Sequence, residues 1–417
     1  MAFICMPMSF EWFFSRATAR FKNTQKQVSS IIVLISQISI LLGIVVTYLT
    51  FSIGLGTRHA IKEKLAAFSG HVLITGLDSN DSYDSSPVSL LQSFYPIPSW
   101  RIPVANLSEF AMKGGIIRTE KDTEGVVFKG VSSNYDWSRF KDFIVKGRKP
   151  DLKVTSLSYE VLLSKKMAAV LGLDIGASFV VYFFREPPQV PVARRFFISG
   201  LYDTGIKNFD QMMIIGDLRQ VRRINHWQED HTGGFEVFVK DIDKIEALEK
   251  EINEHISYDL KAQGVLTRFE SIRNWMGIFD INILIVTLIM SLVVMINMMV
   301  LLLILILERS YTVGVLKTLG ASNGSIRKIF IYYALHILGP ALLWGNLIAL
   351  GLLFLQKYFG LIHLDPEAYY ISFVPVYLNP ELVAGINLAA ILLSLLTLWL
   401  FSVLINTILP IKSVKFR

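Results

Sequence analysis

Charged, glycine and apolar residues alternate at helical spacing in the stretch Glu308-Arg309-Ser310-Tyr311-Thr312-Val313-Gly314-Val315-Leu316-Lys317-Thr318-Leu319-Gly320-Ala321. Glu308 and Arg309 mark where an apolar run meets water. Val313, Leu316 and Leu319 recur three apart and predict a short helix with one apolar face. Gly320 suits its end and Ser322 the cap of the next helix, so the segment predicts a compact bend at a membrane surface. Such a bend suits force transmission, because a small docked helix moves both apolar runs attached to it. An amphipathic connection resting on lipid headgroups is the alternative. Elsewhere the chemistry is sparse. The seven histidines lack ligand spacing, no Ser-His-Asp grouping occurs, and Gly320 to Gly324 lacks the lysine of a phosphate loop. His336, alone in its apolar run, reads as a functional site or as a neutral imidazole bonded to a neighbouring helix. Cys5 is the only cysteine, which excludes an intrachain disulfide. Ala2-Phe3-Ile4-Cys5 loosely matches a lipoprotein cleavage site, but no charged segment and apolar core precede it.

The elements that must position that bend are four apolar runs free of Asp, Glu, Lys and Arg, at residues 28–57, 281–307, 329–356 and 382–411. Each exceeds the roughly 20 residues that cross a hydrocarbon core at about 1.5 Å per residue. The mean hydropathy of +0.47 agrees. The first run is too long and too far from Met1 for an ordinary cleaved signal peptide, and is expected to stay as an anchor. Arg16, Arg20, Lys22 and Lys26 precede it. Arg309, Lys317, Arg327 and Lys328 lie between the second and third runs, and Lys412, Lys415 and Arg417 follow the fourth. The connection at 357–381 carries Asp365, Glu367 and Glu381 instead. The basic flanks predict cytoplasmic termini and a cytoplasmic 308–328 loop, with 58–280 and 357–381 on the outer side. The formal charge of +7 is largely this flanking excess, and no arginine–aromatic stripe suggests nucleic acid. Residues 1–27 mix Phe10, Trp12, Phe13, Phe14 and Phe21 with Arg16 and Arg20, as a cytoplasmic interfacial helix or a plain basic tail would.

The insertion at 58–280 predicts a mixed α+β domain large enough for its own core. Residues 58–68 continue the first helix and Gly70 stops it. Strands are expected at 71–75, 110–118, 125–131, 178–184, 196–201, 212–215 and 236–239, and helices at 162–171 and 242–256. Residues 77–87 read as a loop, and Pro187, Pro188 and Pro191 force another that projects from the sheet. The fold class is therefore an α-helical membrane protein with four transmembrane helices and a large α+β extracytoplasmic domain between the first two.

The bend, followed by Ile326-Arg327-Lys328-Ile329-Phe330, resembles the signature of FtsX/MacB-type ABC transporter permeases. Residues 54–74, Val126 to Val131, Leu163 to Leu173, and Phe197 to Gly205 with Asp210 resemble the LolC/LolE lipoprotein-releasing permeases, in the family's order. That resemblance implies a MacB-like periplasmic core and a non-catalytic permease in the bacterial inner membrane. It implies no cofactor in this chain, with ATP and Mg bound by separate LolD-like ATPase subunits. Glu308, Arg309, Gly314, Leu316, Lys317, Leu319, Gly320 and Ala321 would form the coupling element on that ATPase. Acylated lipoproteins would be squeezed from between the first two spans and passed to a periplasmic LolA-like carrier. Each buried methylene of an acyl anchor contributes about 0.8 kcal/mol, so extraction needs an energy source and an apolar receiver. Leu41, Leu42, Met295, Met298 and Met299 offer an adaptable apolar lining, with Asn297 to orient a cargo amide. The same side chains would serve equally as lipid-facing or helix-packing residues, and Asn297 as an interhelix bond. The Pro187 to Pro191 loop sits where relatives carry a longer carrier-recruiting hook. Its shortness fits a partner permease that holds the hook, or a homodimer.

Three other functions fit parts of this pattern. A MacB-like exporter of periplasmic peptides or small molecules would carry a fused ATPase, which this chain lacks. An FtsX-like regulator of a periplasmic cell-wall hydrolase would have a smaller external domain. A membrane-anchored enzyme would need a catalytic grouping.

Overall fold

The computed structural model describes residues 27–79, 83–98, 100–118, 122–153, 156–185, 189–365 and 369–401. Cys5, residues 1–26 of the expected interfacial segment, Pro187, Pro188 and the basic tail lie outside the described residues. The chain divides into a membrane unit, drawn from residues 1–56, 277–362 and 374–417, and a second unit of residues 57–276 and 363–373.

Among the described residues, four helices are long and apolar enough to cross a membrane: Val33–Ser69, Glu270–Glu308, Asn323–Phe359 and Pro380–Leu400. The first two outrun their apolar stretches. The helix Gln27–Ser69 continues well past residue 57, and Glu270–Glu308 starts before residue 281. The added turns stay helical because one face finds apolar partners: Ile61, Leu65, Phe68, Ile272 and Met276 are buried in the core of the second unit. The length of an apolar run therefore measures the lipid-facing part of these helices rather than the helices themselves. Within the membrane unit, glycines allow close approach. A Cβ on Gly43 would lie 3.3 Å from Val294 Cγ2, and one on Gly345 would lie 3.2 Å from Ile44 Cγ2.

The second unit is built on β1 (Val72–Gly76), β2 (Val88–Ser89), β3 (Val104–Arg118), β4 (Thr123–Val131), β5 (Ile144–Gly147), β6 (Glu160–Ser164), β7 (Ser178–Phe183), β8 (Val192–Tyr202), β9 (Met213–Asp217), β10 (His231–Thr232), β11 (Gly234–Val239) and β12 (Leu260–Gly264). The main sheet runs β12-β1-β11-β3-β4-β9-β6-β8-β5, and β7 pairs with both β3 and β8. Strands β3, β4, β9, β6, β8 and β7 consequently close into a six-stranded ring. Successive residues of a strand point to opposite faces, and both faces of the shared wall are buried. Phe110, Val127, Leu162, Tyr202 and Ile215 enter one core, formed with the first helix and the helix Ile245–His255. Ala111, Phe128, Val161, Ile198 and Ile214 enter the other, inside the ring. Two-sided burial explains a misplaced helix: residues 162–164 read as its start but belong to β6. The helix begins at Lys165, where Ser164 Oγ accepts the Met167 N–H at 3.0 Å.

The connection between the third and fourth spans is more than a loop. Residues 363–373 join the second unit, with Ile371 buried in its core and the Tyr370 ring 5.4 Å from Trp275. Lys64 Nζ donates to the Tyr370 carbonyl at 2.7 Å.

Ring closure needs Gly115, because a Cβ there would lie 2.9 Å from Val181 Cγ1 and 3.1 Å from the Tyr182 carbonyl oxygen. Gly115→Val should destabilise the domain by about 1–3 kcal/mol through overpacking. Denaturant unfolding of the solubilised protein, followed by tryptophan fluorescence, will read this as a lower midpoint.

Candidate functional site

The bend folds as a helix, Ser310–Thr318. Its turn closes through Ala321 N–H on the Leu316 carbonyl at 2.9 Å, with Gly320 at φ +91°, a conformation that favours glycine. Ser322 then caps the helix Asn323–Phe359 by accepting the Ser325 N–H at 3.1 Å. Val313 and Gly314 are buried, and Arg309, Leu316, Lys317 and Ala321 are half-buried. Glu308, Gly320 and Leu319 are exposed, as is Tyr311. The sequence put Leu319 on the buried face with Val313. As the C-cap it leaves the helical period and is 78% exposed. Inward packing thus falls to Val313 and Gly314, and Tyr311 and Leu319 present apolar surface outward.

The side chains proposed to line a cavity differ in burial, and none of them lines the groove described next. Met298 is fully buried in the core of the membrane unit; Leu42 and Met295 are exposed, and Leu41, Asn297 and Met299 are half-buried. Asn297 Nδ2 donates to the Val293 carbonyl of its own helix at 3.0 Å. A groove of about 650 Å³ instead lies between the first, second and fourth spans, lined by Thr47, Phe51, Thr287, Ser291, Leu382 and Gly385 among others. Alternation of small and large side chains, rather than methionine content, was the signal for it. His336 is exposed. At the projecting loop, Pro191 is exposed, and Arg185 Nη2 donates to the Val190 carbonyl at 2.9 Å across its base.

A third site was not legible as a site. The helix Gln27–Ser69 ends inside the core of the second unit, where Ala66 to Ser69 are buried. Lys129 Nζ donates to the Phe68 carbonyl and, at 2.6 Å, to Glu236 Oε1. Both side chains are essentially inaccessible. Burial pushes Lys129 down and Glu236 up, both toward neutrality, and their mutual attraction opposes it. His71 follows, with Nδ1 accepting the Val239 N–H at 3.1 Å and Nε2 3.9 Å from Glu63 Oε2. Burial, reinforced by the Arg139 charge, lowers it to about 4.

Comparison with known proteins assigns the family. The model for the MacB-like periplasmic core domain matches residues 33–255, and that for the FtsX-like permease C-terminal region matches residues 284–410. The chain belongs to the ABC transporter permeases of the FtsX/MacB/LolC type. Two curated relatives carry the name lipoprotein-releasing system transmembrane protein LolC, from Xylella fastidiosa strains Temecula1 and 9a5c. They are 21% and 20% identical over 391 residues, covering 88% of this chain and 89% of each relative. Among solved structures, the extracellular domain of the noncanonic ABC-type transporter YknZ from Gram-positive bacteria matches with a TM-score of 0.31 and 15% identity. It covers 46% of this chain and 99% of that one. The periplasmic region of MacB from Actinobacillus actinomycetemcomitans matches with a TM-score of 0.33 and 13% identity, over 52% and 98%. Permeases of this family are generally non-catalytic and imply an ATPase partner. The four apolar helices and the MacB-like core make this a membrane protein with an extracytoplasmic domain.

Two tests follow from the helix end in this permease. Lys129→Met strands Glu236 and should cost about 3–5 kcal/mol, whereas Lys129→Met with Glu236→Leu should recover most of the loss. Urea unfolding of all three proteins measures both. The unfolded chain protonates His71 below about pH 6.5 and the folded one only near pH 4, so stability should fall as pH drops through that window, by up to about 3 kcal/mol. His71→Asn, which keeps an acceptor for Val239, should flatten that part of the pH profile.

Proposed function

We propose that this permease releases acylated lipoproteins from the bacterial inner membrane and passes them to a periplasmic LolA-like carrier. The observation that carries the reading is the match to LolC proteins along 88% of this chain, through the spans and the domain alike. LolD-like ATPase subunits with bound ATP and Mg supply the energy, and a second copy or a paralogue completes the membrane path. The ATPase seats on the helix Ser310–Thr318, where exposed Tyr311 and Leu319 flank half-buried Leu316. The basic flanks support a cytoplasmic position for this helix and both termini, with the α+β domain in the periplasm.

Depletion of the permease should leave mature lipoproteins in the inner membrane, as fractionation would read. Intact lipoprotein sorting with a cell-separation defect would overturn the reading in favour of an FtsX-like regulator. Leu319→Asp places a charge on outward apolar surface without touching the core. It should leave membrane insertion intact and lower ATP-driven release at least tenfold. Normal release by that variant would remove this helix from the coupling role.

A further inference from the structure

Three polar side chains meet inside the membrane unit, one from each of the first, third and fourth spans. Tyr48 Oη donates to Asn346 Oδ1 at 2.6 Å. Asn346 Nδ2 donates to Asn387 Oδ1 at 2.7 Å, and Asn387 Nδ2 donates to Tyr48 Oη, also at 2.7 Å. The amides also reach the carbonyls of Leu342 and Val383, one turn back on their own helices, at 2.8 Å. Tyr48 is fully buried. The ring of bonds is closed, with each member both giving and receiving.

Hydrocarbon offers no water to replace a broken bond, so polar groups in spans are satisfied internally or lost. Sliding any one of these three helices by a turn would break at least two of these interhelix bonds. One relative arrangement of the three satisfies all of them.

The second span meets the first differently. It packs on glycines of the first span, where a Cβ on Gly43 would lie 3.3 Å from Val294 Cγ2 and one on Gly54 would overlap Ile283 Cδ1. Its amide, Asn297, is bonded to its own helix and would lose nothing in a shift. Beside it lies the groove of about 650 Å³, walled by small residues including Gly43, Gly385 and Ala389. Free volume on one side and glycine packing on the other leave room for a helix to move.

We propose that Tyr48, Asn346 and Asn387 are positioning residues that hold the first, third and fourth spans as one body through the transport cycle, and that the second span moves against it. The inference rests on membership of the ABC permease family and on no particular cargo.

Two cysteine pairs in a Cys5→Ser chain test it, in the assembled complex with its ATPase. A Cβ on Gly345 lies 3.3 Å from Ile44 Cβ, near disulfide spacing, so Ile44→Cys with Gly345→Cys reports on the first and third spans. Gly43→Cys with Val294→Cys reports on the first and second. Rates of disulfide formation are compared without nucleotide and with ATP plus vanadate. The first pair should form at the same rate, within about twofold, in both states; the second should change at least fivefold. Equal nucleotide dependence of both pairs, or none in the second, overturns the proposal. Adding Tyr48→Phe and Asn387→Leu should make the first pair nucleotide-dependent while the complex still hydrolyses ATP. An unchanged rate removes these residues from the role, and if the double variant fails to insert, Tyr48→Phe alone gives the same comparison. No cargo enters these measurements, so a failed lipoprotein assay leaves their outcome intact.

Discussion

A helix that ends away from water leaves its last carbonyls without partners, and the helix Gln27–Ser69 ends in a buried core. The negative end of that helix is met by the Lys129 ammonium. The ammonium is in turn tolerable there only because Glu236 shares its charge. Gly70 turns the chain in the left-handed region, and a Cβ on it would lie 3.0 Å from Glu236 Cβ. His71 then hands the chain to β11 through its N–H on the Val237 carbonyl. An apolar substitute for the ion pair would serve packing equally well. What the charged pair adds is direction: it binds this carbonyl and this strand, and no others.

The same economy governs the sheet. Strands β3, β4, β6, β8 and β9 separate two cores, so their central residues, such as Val126 to Val131 and Val161 to Leu163, are buried on both faces. Close backbone approaches in this wall are made by glycine. A Cβ on Gly130 would sit 2.7 Å from Leu218 Cα, and one on Gly200 would sit 2.6 Å from the Arg148 carbonyl oxygen. Asp210 accepts both the N–H and the hydroxyl of Thr204, at 2.9 and 2.7 Å, tying the turn after β8. Two of the segments that resemble the family, Val126 to Val131 and Phe197 to Gly205 with Asp210, are therefore joints of the fold.

How much of this was legible follows from range. Span number, the helix stop at Gly70, and the bend with Ser322 as its cap are local, and charge or apolar runs report them directly. The wall strands were found where β-branched and aromatic residues cluster. Residues 162–164 were not, because burial on both faces removes the alternation that distinguishes a strand from a helix. Leu319 was misplaced because period counting continued one step past the helix end. Lys129 and Glu236 lie 107 positions apart, and Tyr48 lies 298 and 339 positions from Asn346 and Asn387. No spacing rule reaches that far. A lone lysine in an apolar strand, or lone asparagines in apolar spans, were the only traces.

Residues 363–373 contribute Ile371 to the core of the extracytoplasmic unit although they lie on the far side of two spans in sequence. A soluble fragment cut as 57–276 would therefore be missing a piece of its own interior. Grafting the eleven-residue strap back through a designed linker would be the sounder way to obtain that domain apart from the bilayer.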